Sequence, residues 1–236
     1  MIRDEVATAV VSLLARARRE LPAYVREAIL ELGQRAVRPL IAVVVDSTYW
    51  SEEGPGEGYA SVHAALLLGE MQAAEAVQPL LWVERVMEDL DDIPLLWQEV
   101  NTALSMMGAV AVEPTLAAYH ASDNRLYRWT LLGILAAMGV RDDRIYDLLV
   151  EQLIDNPDSA VANLEAYGDP RGIEILRRHM TSLDIELGFL PSDWEVATVV
   201  RAIRKLGAQL TAEEQEALER PKGRSLLAEV LAPGGS

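Results

Sequence analysis

Few residues in this 236-residue chain have side chains suited to catalysis or metal binding: three histidines, one dense cluster of carboxylates and no cysteine. Without cysteine there is no disulfide, no thiolate metal site and no thiol nucleophile. His63, His120 and His179 stand 57 and 59 residues apart, and no His-Glu pair occurs anywhere. A zinc site of the metalloprotease kind needs two histidines one helical turn apart with an acid beside them. The histidines are therefore expected at polar helix-surface positions. Glu84, Glu88, Asp89, Asp91 and Asp92 lie close together, yet they lack the alternating ligands, central glycine and closing glutamate of a calcium loop. Gly54-Pro55-Gly56-Glu57-Gly58 is no phosphate cradle, because Pro55 has no amide to donate and Glu53 and Glu57 repel phosphate. Nucleophile-elbow, kinase and dinucleotide-binding fingerprints are absent from the sequence too. The expectation is a non-enzyme: no catalytic residue, no metal, no cofactor.

The elements that must position any remaining site are helical. Half the residues are apolar, and these are mostly Ala, Leu and Val, with one Phe; that favours helices over strands. Residues 2–20 place Val6, Val10, Leu13, Leu14 and Ala17 at helical spacing, with acids first and arginines last as the helix dipole prefers. A phrase then recurs: an apolar helix ending in glycine, a polar break, and a second helix opening near a proline. It reads Ala28-Ile29-Leu30-Glu31-Leu32-Gly33 then Val37-Arg38-Pro39-Leu40-Ile41. It returns as Ala64 to Gly69 then Val77-Gln78-Pro79-Leu80-Leu81, and as Ala103 to Gly108 then Val112-Glu113-Pro114-Thr115-Leu116. With Gly33, Gly69, Gly108, Gly139, Gly168 and Gly207 as markers of the A-helix end, the intervals are 36, 39, 31, 29 and 39 residues. That is the size of one helical hairpin with its loops. Five residues before the markers stand Ala28, Ala64, Ala103, Ile134, Asn163 and Ala202, mostly small or aliphatic as close helix crossings require. No single hairpin buries enough apolar surface to fold alone, so stacking is obligatory.

The phrase resembles the HEAT repeat, particularly the short bacterial type named after phycobilisome lyases, and Asn156 to His179 with its Gly168-Asp169-Pro170 turn resembles one such unit. The resemblance implies an all-α fold, an α-solenoid of about six HEAT-like antiparallel helix pairs forming one domain over 1–236. Residues 1–21 would be an N-terminal capping helix, 22–207 the repeats, and 208–236 a C-terminal cap, with a capping box at Thr211-Ala212-Glu213-Glu214, and a frayed tail. It also implies B-helices that line a concave surface. Two stretches exceed what a hairpin needs: 46–58, and the apolar 181–193, which is expected to fold back on the array or to mark a break.

Five tryptophans accompany the single Phe. Trp97, Trp129 and Trp194 fall early in predicted A-helices and are expected in the core. Trp50 lies in the acidic 46–58 loop. Trp82 aligns, by the prolines, with Ala42 and Ala117, so it would stand as a lone anchor among alanines. The formal charge is −16, and residues 46–113 hold thirteen acids against Arg85 alone. Such a field repels phosphate backbones and anionic lipid and speeds encounter with a basic partner. The expected function is a non-catalytic scaffold that binds a basic protein or peptide through its concave face and its acidic 46–113 region. Trp50, Trp82, Glu84, Glu88, Asp91 and Asp92 are the candidate contacts, and a homo-oligomer is left open. The alternative implied by the resemblance, a chromophore- or cofactor-handling protein of the bilin-lyase type, needs an apolar groove with an acid–base pair. HEAT-like DNA glycosylases need a basic face, which the charge opposes. The longest apolar run, Leu131 to Val140, is about half of the ~20 residues a spanning helix requires. The acids at the N-terminus are unlike a secretory signal. No membrane and no nucleic acid are expected as partners, and the cytoplasm is the expected location.

Overall fold

The computed structural model describes residues 5–87, 95–186, 193–212 and 215. Among the described residues every regular element is helical, and no strand occurs. They form two compact units, Met1–Val140 and Arg141–Ser236. The first holds α1 (Glu5–Arg16), α2 (Ala23–Glu31), α3 (Gln34–Val45), α4 (Tyr59–Glu70), α5 (Val77–Met87), α6 (Leu96–Met106), α7 (Ala109–Ala121) and α8 (Arg125–Ala137). The second holds α9 (Asp143–Asp155), α10 (Pro157–Tyr167), α11 (Gly172–Glu186) and α12 (Asp193–Lys205).

The first unit is built in two layers. The A-helices α4, α6 and α8 lie side by side, the B-helices α3, α5 and α7 do the same, and α1 covers α3 and α4. The closest approaches between layers run from each B-helix to the helix that follows it: α3 to α4, α5 to α6, α7 to α8. The second unit repeats the pattern, α9 on α10 and α11 on α12, with α10 beside α12. This is an all-α helical-repeat fold. It refines the picture of hairpins bent at glycine, because the tightest packing is across the longer loops. The unit boundary falls between α8 and α9, away from the break considered at 181–193. Thr181 to Glu186 in fact continue α11, while 187–192 lie outside the described residues. The predicted C-terminal cap lies outside them too, save for 208–212 and Gln215.

Gly33 and Gly108 take the same backbone conformation, φ 53°, ψ −132° and φ 57°, ψ −132°. Residues with a Cβ are strained there, so the chain turns at once from α2 into α3 and from α6 into α7. The B-helices therefore start at Gln34 and Ala109, before the expected Val37 and Val112, and Pro39 and Pro114 sit inside them. Each proline removes one helical amide. Gly69 departs from the marker pattern. It lies within α4, and the left-handed residue that ends this helix is Gln72, φ 47°. A Cβ at Gly69 would stand 2.7 Å from Ala103 Cα and 2.8 Å from Ala103 O; the glycine is there so that α4 and α6 can touch backbone to backbone. Ala64, Ala103 and Ala202 are fully buried, as the small-residue column expects, whereas Ala28 is exposed on α2. Asn163 uses its polar group, donating from Nδ2 to buried Gln152 Oε1 at 2.9 Å.

In the second unit, arginines and tyrosines clasp the ends of α9 and α10. Arg141 donates to the carbonyls of Tyr167 and Gly168, and the Asp142 amide donates to the Tyr167 hydroxyl at 2.8 Å. Arg171 lies 4.3 Å above the Tyr146 ring and pairs with Asp169 and Asp143, both at 2.8 Å. The Arg171 side-chain hydrogen bond holds Asp169 below the usual carboxylate range, and Arg144 does the same for Asp142. A carboxyl whose folded value is depressed stabilises the fold above its unfolded value and loses that contribution as pH falls through the folded one. Thermal unfolding should thus be flat near neutrality and fall away below about pH 4. Asp169→Asn should lower the neutral midpoint and blunt the acid slope; an unchanged slope would show that this carboxylate is not the sensitive group.

Candidate functional site

Trp50 and Trp82 meet in the first unit. Where α3 ends, the Asp46 carboxylate accepts from the Thr48 amide at 3.0 Å and starts a single 3-10 turn, Ser47–Tyr49. The turn brings Trp50 back over α3, where its indole N–H donates to Val44 O at 2.8 Å. Its ring then leans against that of Trp82 on α5, with centroids 6.4 Å apart and planes at 51°. Trp50 is half-buried, while Trp82 remains 51% exposed. Ala42 and Ala117, its counterparts on α3 and α7, are exposed as well. The column predicted from the prolines is thus the outward face of the B layer, and Trp82 is its large member.

The rest of the 46–58 loop is tied down at both ends. Ser61, fully buried, places its Oγ 2.9 Å from both Tyr49 O and Gly58 O. Gly56 runs so close to α1 that a Cβ would meet Ala17 O at 2.9 Å. Arg18 pairs with Glu57 at 3.1 Å. His63, expected on a polar surface, is instead buried, with Nε2 at 2.7 Å from Arg18 O. A carbonyl only accepts, so that nitrogen carries the proton. His63 is a post that fixes the end of α1 against α4, stacked on Tyr59. Asp46, Glu52 and Glu53 remain exposed on the loop; they belong to the expected acidic 46–113 region but not to the six contacts named from the sequence.

The other expected contacts fare differently. Glu84 is corrected: it is fully buried, and its Oε1 accepts the indole N–H of Trp97 at 2.9 Å. Trp82 and Glu84 are two residues apart on a helix and so point roughly 200° apart; closeness in sequence put them together, and helical phase separates them. Trp97, expected in the core, is only half-buried, with its indole bonded to Glu84 of the preceding B-helix. Trp129 is half-buried too, with Arg125 5.1 Å over its ring. Glu88, Asp91 and Asp92 lie outside the described residues, as does the side chain of Trp194. A shallow groove on the A layer is lined by Asn101, Thr102, Ser105, Thr130, Gly133 and Ile134 among others. Its three hydroxyls bond carbonyls of their own helices, and it contains no acid–base pair. Among the described residues no group of three metal-binding side chains occurs, and no helix is long and apolar enough to cross a membrane. What the Trp site offers chemically is recognition: an indole face backed by a second indole, on a loop that also carries exposed carboxylates.

No family model matches the chain, and no curated protein matches it. Fold and site together define a class, an all-α helical-repeat protein with a half-exposed tryptophan pair on its B layer.

Ser61→Ala removes the hydroxyl that holds Tyr49 and Gly58, at a cost of about 1–2 kcal/mol. Cleavage by a glutamate-specific protease at Glu52 and Glu53 should then speed up while the helices stay intact. Equal cleavage of both proteins would show that the loop is held by other contacts.

Proposed function

We propose that this chain is a HEAT-type, non-catalytic scaffold that takes a basic protein or peptide on the outward face of its B-helices, with Trp50, Trp82 and the acidic loop as the docking centre. The observation that carries the reading is Trp82, 51% exposed on a column otherwise occupied by alanines. Half-exposed tryptophan costs free energy in water and is enriched where partners dock. Charge supplies the sign of the partner. Asp46, Glu52 and Glu53 are exposed on the loop that carries Trp50, and the whole chain carries −16. That balance favours basic partners and disfavours phosphate backbones. Such a scaffold would work in the cytoplasm, with Glu88, Asp91 and Asp92 among its proposed contacts.

A decapeptide of five arginines and five lysines serves as probe, with tryptophan fluorescence as the signal. Affinity should fall by about tenfold or more between low and physiological salt. Reversing Glu52→Lys and Glu53→Lys together should weaken it further. Binding that ignores both salt and charge reversal would overturn the reading.

A further inference from the structure

Resting on that reading, the structure points to what the partner must present. Trp82 offers a flat ring face, and tryptophan is the aromatic ring that attracts cations most strongly. The chain already uses this contact on five of its other rings. Arginine guanidiniums lie over Tyr127, Trp129, Tyr119, Tyr167 and Tyr146 at 5.4, 5.1, 4.3, 4.9 and 4.3 Å. Among the described residues none lies over Trp82. Trp50 backs the ring at 51°, so the two indoles make a notch and not a parallel stack, and the Trp50 N–H is already engaged by Val44 O. The loop that carries Trp50 also carries the exposed carboxylates of Asp46, Glu52 and Glu53.

We infer that the Trp50–Trp82 notch is an arginine-stacking site, in which a guanidinium of a basic peptide lies flat on Trp82 and turns its N–H groups toward the loop carboxylates. The choice of arginine over lysine follows from their chemistry. A guanidinium is planar and weakly hydrated and can stack while donating in its own plane, whereas an ammonium is a strongly hydrated point charge. A second copy of this chain is a poor occupant. Ala42 and Ala117 beside Trp82 give little apolar area, and a stable dimer buries about 800 Å² on each partner. A nucleobase stacking on Trp82 would bring a phosphate against the same carboxylates.

The test uses the full chain and two decapeptides of equal charge, arginine alternating with glycine and lysine alternating with glycine, titrated by calorimetry. The arginine peptide should bind about fivefold more tightly than the lysine peptide. Trp82→Leu and Trp82→Ala should each erase that preference and leave the same weak, salt-sensitive binding of both. Glu52→Lys with Glu53→Lys should weaken both peptides alike. Equal affinity of the two peptides for the unmodified chain, with charge reversal still effective, would overturn arginine stacking while sparing the scaffold. Absence of binding by either peptide would overturn both. A thymidine decanucleotide that binds through Trp82 would also overturn the inference, in favour of base stacking.

Discussion

The first unit depends on one backbone contact. At Gly69 the helices α4 and α6 come so close that even a methyl group would overlap Ala103. Only glycine can stand there without moving a helix. That approach fixes the spacing of the A layer, and each B-helix packs onto the A-helix after it. The rotation of α5 is set in turn: Leu80, Leu81, Val83 and Glu84 face inward and Trp82 outward. The exposure of Trp82 is a consequence of how the layers stack.

A second set of contacts determines what stands next to Trp82. The 46–58 loop would be free to wander on composition alone, having four glycines and prolines among polar residues. Buried Ser61 and His63 prevent this, one holding loop carbonyls and the other the end of α1. The result is an indole pair whose geometry exists before any partner arrives. Preorganisation lowers the ordering cost of binding.

Much of the fold was legible in the sequence. Apolar spacing and the recurring glycines gave the helices and their alternation, and the proline register aligned Ala42, Trp82 and Ala117, which the structure shows all exposed. Three features were not legible. Gly69 and Gly108 look alike in sequence, but one makes a close contact and the other a turn, which is a matter of tertiary packing. Glu84 looked like part of an acidic surface because neighbouring acids in sequence were read together, without regard to helical phase. His63 looked like a surface residue because nothing local announces that a distant carbonyl, Arg18 O, comes to meet it.

The contact between α4 and α6 can be examined directly by amide hydrogen exchange in Gly69→Ala. If it holds the two layers together, residues 59–70, 77–87 and 96–106 should lose protection as one unit, while α9 and α10 of the second unit keep theirs. Faster exchange confined to 59–70, with α5 and α6 unchanged, would contradict the account.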